Sequence, residues 1–263
     1  MTGILLRERQ QGLLRLTLDD PATRNSLGEA MMAALALALD EAKDDAETRV
    51  IVIAARGPAF CSGHNLKEIT ERRRDDDQGK AYFARLMAHC SALMQSIVHH
   101  PRPVIAEVHA PTSAAGCQLV ASCDLAVASE QARFATPGVN IGLFCSTPMI
   151  ALSRNVSRKH AMEMLLTGEM IGAEEACRIG LVNRVVATQL LRASVDDLAS
   201  RIAGKSRAVT RIGKEAFYRQ IDMPLADAYD YAARVMVENL FLQDAKEGIG
   251  AFIEKRQPDW QDR

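Results

Sequence analysis

The chain has 263 residues, enough for one large α/β domain or for a core carrying a helical tail. Hydrophobic residues make up 48% and charged residues 25% of it, ordinary globular proportions that exclude disorder over most of the length. Thirty-two basic residues against 33 acidic ones leave a net charge of −1, so no overall field favours nucleic acid or an anionic membrane, and an anionic ligand must be met locally. Met1 to Arg9 lacks the basic-then-apolar pattern of a signal peptide, and no apolar run approaches the roughly 20 residues that cross a bilayer. A cytoplasmic protein with no membrane insertion is expected. Cys61, Cys90, Cys117, Cys123, Cys145 and Cys177 form no CxxC pair and no Cys/His set with zinc spacing, so no metal site is expected and most of the thiols read as reduced, buried small hydrophobes.

Leu13 to Leu18 (LLRLTL) reads as a strand that ends in the turn residues Asp19, Asp20 and Pro21. Leu27 to Lys43 carries Ala, Leu and Met at helical spacing, with Ser26 as a candidate N-cap. Val50 to Ala55 (VIVIAA) is a continuous apolar run, the pattern of a strand covered on both faces. The dense charges from Glu71 to Asp77 predict a solvated, mobile loop before an amphipathic helix near Tyr82 to Val98. Val104 to Val108 is the next strand, Ala114 to Ser122 a short buried helix, and Leu125 to Ala128 another strand. From about Arg158 the pattern is almost all helical, including Ala173 to Arg178, Gln189 to Ile202, Arg207 to Tyr218 and Leu225 to Leu240. The fold class is α/β, with a β/α core over residues 1–200 and a helical segment over 201–263.

Neither GxGxxG after a strand, nor GxxxxGK[ST], nor HExxH occurs, so the markers of dinucleotide, triphosphate and zinc-protease sites are missing. Two strand-to-small-residue turns are informative: Phe60-Cys61-Ser62-Gly63-His64-Asn65-Leu66-Lys67 and Ser113-Ala114-Ala115-Gly116-Cys117-Gln118. Small residues where a strand gives way to a helix let a ligand approach unpaired backbone N–H groups. Taken singly, such a turn is more often tight packing. Two of them facing each other make an oxyanion hole, which polarises a thioester carbonyl and stabilises the enolate formed beside it.

In this order the motifs resemble the crotonase (enoyl-CoA hydratase/isomerase) superfamily over nearly the whole chain. The stretches are P-x-x-x-N-S-L at Pro21 to Leu27, AFCSGHNLKEI, AAGCQLVASCDLAVAS, ARFATPGVNIGL, MEMLLTGEMIGAEEACRIGLVNRVV and KEGIGAFIEKRQPDW. AAGCQLVASCD and FATPGVNIGLFCSTP are similar to the branch of enoyl-CoA hydratase domain-containing protein 3. The resemblance implies a crotonase-like spiral β/α core with a C-terminal helical extension, assembled as a homotrimer or hexamer. It implies an acyl-CoA thioester as ligand, with coenzyme A arriving as part of the substrate and no cofactor bound permanently. The oxyanion N–H groups then map to His64 and Ala115. Ser62, Asn65, Leu66 and Lys67 map to the segment that lines the coenzyme A path, and Lys255 to a basic position meeting the coenzyme A of a neighbouring subunit. For either lysine a solvated surface role reads equally well.

The match departs from the hydratase pattern at two places. Hydratases of the family use two glutamates to hold and activate water, and this chain has Gln118 and Gly138 at those positions. Gln hydrogen-bonds a water but exchanges no proton at neutral pH, and Gly offers only backbone. Efficient hydration is therefore not expected; isomerisation, decarboxylation or thioester cleavage needs only the stabilised enolate and another proton carrier. Glu107, His109, the His64 side chain, Ser113, Asn140, Cys145 and Ser146 are the candidates for that carrier. A non-catalytic acyl-CoA-binding or scaffolding protein on the same fold is the rival reading.

Overall fold

The computed structural model describes residues 3–263. Leu13–Leu18 is a strand as expected, but it is the second of the chain. Leu5–Gln10 (β1) pairs antiparallel with it (β2) across a two-residue turn in which Gln11 and Gly12 both have positive φ, 48° and 81°. That turn geometry matches the twist of a hairpin. The polar sequence LLRERQ concealed β1, because an edge strand needs little burial.

The first helix, α1 (Glu29–Asp44), starts later than expected: its N-cap is Gly28, not Ser26. The reason lies in Asn25, whose backbone is left-handed (φ 54°) and whose amide side chain donates to the carbonyls of Arg56 and Ala59. Residues 25–27 are thus held as a turn before the helix begins. Val50–Ala55 (β3) follows, then α2 (Leu66–Arg72), which converts the start of the charged run into helix; the remaining charges up to Gln78 are exposed turns.

The next elements are α3 (Lys80–Val98), β4 (Val104–Val108), β5 (Thr112–Ser113), α4 (Ala115–Ser122), β6 (Leu125–Ser129) and β7 (Arg133–Ala135). After these come α5 (Pro148–Asn155), α6 (Arg158–Thr167), β8 (Ile171–Gly172), α7 (Ala173–Arg178) and β9 (Arg184–Val186). The chain closes with α8 (Leu191–Ala203), α9 (Arg207–Gln220), α10 (Leu225–Leu240) and α11 (Gln243–Glu254). Two short strands, β8 and β9, thus interrupt the stretch expected to be helical. β9 completes the main sheet, of order β1-β2-β3-β4-β6-β9 and parallel except for β1. A small second sheet has the order β5-β7-β8.

Both faces of the main sheet are covered, which is why its strands read as continuous apolar runs. Ile51 and Ile53 face the cluster that contains α1, α3 and α4, while Val50 and Val52 face Leu191, Val195 and Ala199 of α8. Each such Leu or Val burial stabilises the fold by about 1.5–3 kcal/mol. α4 is buried at all eight of its residues, wedged between the sheet and its neighbouring helices. α9 is fastened to the core by polar contacts: Lys214 Nζ donates to Asp124 Oδ2 at 2.7 Å and Tyr218 Oη to Asp124 Oδ1 at 2.9 Å. α10 has no buried residue in the single chain, and Leu225, Ala232 and Met236 of its apolar face stand exposed. No helix among the described residues is long and apolar enough to cross a membrane.

Candidate acyl-binding site

Beyond the carboxyl ends of β3 and β4, the chain turns twice and the two turns lie side by side. That is the end of an open α/β sheet at which ligands bind. The bridge Cys61–Thr112, with Phe60 N–H donating to Pro111 O (3.0 Å) and Ser113 N–H to Cys61 O (2.9 Å), zips them together. The outer side of the first turn is held by Ser62 N–H on Arg24 O (3.1 Å) and Leu27 N–H on Gly63 O (2.7 Å). Small residues are obligatory at the contact. A Cβ on Gly116 would lie 2.3 Å from Cys61 O, and one on Gly63, whose φ is +88°, would lie 3.2 Å from the Ala115 nitrogen.

Ala114 takes the strained conformation φ 50°, ψ −117°, rare for a residue with a Cβ. Its amide is pinned to Ala135 O at 2.9 Å, and this turn presents Ala115 N–H at the first position of α4. Among the described residues, the amides of His64 and Ala115 make none of the backbone or side-chain bonds that tie their neighbours. Both amides are thus left without an acceptor, on turns that lie side by side.

The His64 ring is anchored by Nδ1, 3.1 Å from Leu27 O, so Nδ1 carries the proton and Nε2 is a bare acceptor; Nε2 is buried without a partner. Burial holds the imidazole below its ordinary pKa, which keeps it neutral. Asn65 caps α2 by accepting from the amides of Lys67 and Glu68, and Leu66 and Lys67 are exposed beside the turn. Ser62 Oγ donates to Thr23 O. Lys255 caps the far end of α11 at φ 56° and is exposed; no hydrogen bond or ion pair ties it to the turns within this chain.

Gln118 is one helical turn beyond Ala115. Its Oε1 accepts a long contact from the Cys90 thiol (3.8 Å), and it lines a cavity of 680 Å³ bounded by α3, α4, α5 and α9. Gly138 is buried, and there the sequence missed an important neighbour. A Cβ at this position would meet Leu143 O at 2.8 Å and Cys145 Sγ at 2.9 Å, so the Cys145 thiol occupies the space a side chain at 138 would need. Burial pushes that thiol up from its ordinary pKa, leaving it protonated and neutral. Thr136, fully buried just before this segment, has a hydroxyl without a partner, also unsignalled by the sequence.

The other candidate proton carriers separate cleanly. Glu107 is paired with Arg15, itself also paired with Asp196 of α8, so its carboxylate lies on the α8 face of the sheet, away from the turns. An acid on an otherwise apolar strand is here a satisfied residue that neutralises a buried arginine. His109 Nε2 donates to Gly57 O at 2.9 Å and steadies that loop. Asn140 and Ser146 are exposed, and Ser146 Oγ turns back to Phe144 O. Ser113 contributes its backbone to the zip between the turns. Of the set, His64 and Cys145 are the two whose reactive atoms adjoin the turns and the Gly138 position.

The Enoyl-CoA hydratase/isomerase family profile matches residues 8–263. Mouse enoyl-CoA hydratase domain-containing protein 3, mitochondrial, is 48% identical over 252 residues, covering 96% of this chain and 82% of that protein. The crystal structure of the human protein of that name superposes with a TM-score of 0.93 at 46% identity, covering 98% of this chain and 100% of that one. An enoyl-CoA hydratase structure from Mycobacterium smegmatis gives the same TM-score, 0.93, at 48% identity and 98% coverage of both chains. The likeness read from AAGCQLVASCD and FATPGVNIGLFCSTP is thereby borne out. The chain belongs to the enoyl-CoA hydratase/isomerase family of the crotonase superfamily.

Proposed function

We propose that this protein binds an acyl-CoA thioester with the carbonyl oxygen between the amides of His64 and Ala115, and that it catalyses an enolate reaction other than efficient hydration. The observation that carries the reading is the pair of juxtaposed N–H groups without acceptors. An oxyanion hole of this kind contributes about 3 kcal/mol per donor to the stabilisation of an enolate. Double-bond isomerisation, decarboxylation and thioester cleavage are the reactions open to it. His64 Nε2 is the proton acceptor: it is neutral, buried, unpartnered, and covalently tied to one of the two amides that grip the carbonyl. Lys67 and, from a neighbouring subunit, Lys255 meet the coenzyme A phosphates. Coenzyme A enters and leaves as part of the substrate, with no permanent cofactor or metal.

The helices beyond residue 200 form the assembly segment. Leu225 (75% exposed), Phe241 (75%) and Phe252 (84%) support a homotrimer or hexamer in which these side chains are covered. A purely binding or scaffolding role is the second reading, and the absence of a carboxylate at both Gln118 and Gly138 favours it. A panel of short acyl-CoA and enoyl-CoA thioesters, followed by mass spectrometry for product and by calorimetry for affinity, separates the two: turnover supports the first, tight binding without product the second. In a crystal with acetyl-CoA, a thioester oxygen outside hydrogen-bond range of both amides would overturn either.

A further inference from the structure

At the opposite, amino-terminal end of the parallel strands lies a cleft of 310 Å³ lined by Lys43, Arg102, Arg207 and Arg211, with Asp44 and Asp262 as its acidic residues. The charges do not balance. Asp262 is shared, accepting from Arg49 at 2.7 and 3.0 Å and from the Arg207 amide at 2.7 Å, while Lys43 is held by Asp40 at 2.9 Å. Among the described residues, neither Arg102 nor Arg211 has a carboxylate within ion-pair distance, and nearby Asp45 is turned to Arg9 and Thr48.

Arg102 is the informative residue. It is only 6% exposed, yet its Nε is buried without an acceptor, and its sole hydrogen bonds from the side chain run from Nη2 to the carbonyls of Lys43 (3.1 Å) and Asp45 (3.3 Å). Nε is closed off from the cleft, whereas Nη1 has no hydrogen bond and is not buried, so it is the guanidinium donor left for a ligand there. Burial, then the neighbouring Arg207, act against its charge, and Asp262 and Asp45 offset this only in part. Arginine forks bind compact oxyanions at two points, and α9 brings the positive end of its dipole to the same cleft.

We propose that this cleft is a binding site for a phosphate-class dianion, free or as a phosphomonoester, separate from the thioester site. Arg102 and Arg211 supply the fork and the mobile cation, and Arg207 the rim. Binding ties α9 and the chain around Asp262 to the end of α1, so the ligand stabilises the attachment of the C-terminal helices.

The test is calorimetric titration of the whole protein with inorganic phosphate and, separately, with glycerol 3-phosphate, a phosphomonoester without adenine, against sodium chloride at matched ionic strength. Phosphate is expected to bind and to raise Tm where chloride does not; preference for glycerol 3-phosphate identifies a phosphomonoester, and preference for phosphate the free ion. Arg211→Gln, at an exposed side chain without hydrogen bonds, should weaken the binding at least fivefold while acetyl-CoA affinity stays unchanged. Equal effects of phosphate and chloride, or undiminished phosphate binding in Arg211→Gln, would overturn the site. Either result stands apart from the fate of the oxyanion hole, which the acetyl-CoA arm reads independently.

Discussion

The two ends of the parallel sheet are built from different materials. At the carboxyl ends, where β3 and β4 run into the paired turns, the free polar groups are the backbone amides of His64 and Ala115, set among the small residues Gly63, Ala114 and Gly116. At the amino ends the contacts are charged, and the paired ones fasten elements together: Arg49 with Asp262, Lys214 and Tyr218 with Asp124, and His100 between the carbonyls of Leu39 and Arg102 and the Arg102 amide. The proposed thioester contacts thus rest on backbone shape at one end, while at the other the paired charges fasten helices. Substitutions at the turns should alter turnover or affinity with little change in stability, and those at the paired charges should alter stability and leave thioester binding intact.

The sharpest test is His64→Ala, which keeps the amide and removes the imidazole. Turnover of a responsive thioester should fall by about 10²- to 10⁴-fold while the Kd for acyl-CoA changes no more than a few-fold; unchanged turnover removes His64 from the mechanism. Next is Lys214→Met, which leaves Asp124 buried without its cation. Unfolding free energy should fall by about 3 kcal/mol, with the Ala115 end still binding acetyl-CoA. A urea midpoint equal to that of the parent would show that α9 is held by apolar contact alone.

A pH series addresses the same end. Burial holds His100 down at about 4 from an ordinary 6.5, so between those values the unfolded chain takes up a proton that the folded chain rejects. Its stability contribution is complete above pH 6.5 and is lost as the pH falls through about 4, up to about 3 kcal/mol in all. Urea midpoints measured from pH 7 to pH 4 should show this slope, and His100→Gln should flatten it. The smallest effect breaks the rule: Gly138→Glu, at the carboxyl end, should cost about 1–3 kcal/mol of stability through overpacking against Cys145 and Leu143. With Gln118→Glu added, hydration of crotonyl-CoA should remain undetectable; its appearance would show that the segment gives way easily.

Much of the architecture was readable in advance because apolar runs declare themselves. VIVIAA at Val50–Ala55 and VIAEV at Val104–Val108 are strands with the expected bounds, and Ala115–Ser122 is the buried helix the small residues announced. β1 and β9 escaped because short or exposed edge strands carry little apolar signal. At the site, spacing located the two turns, since glycine and alanine are needed wherever backbones approach as closely as Gly116 and Cys61. What spacing does not encode is which side chain fills a vacated volume. Cys145 lies seven residues beyond Gly138, and only the fold of the 137–145 segment brings its sulfur back to that spot. Nor does spacing name the partner that satisfies Glu107, since Arg15 is 92 residues away.

The sulfur of Cys145 also makes position 138 a shared one. With Leu143 O and Cys145 Sγ both within 3 Å of any Cβ at position 138, a side chain placed there meets a filled volume before it meets anything else. Room at 138 opens only when the chain at 143–145 shifts with it, so residues 138, 143 and 145 change as a unit or not at all.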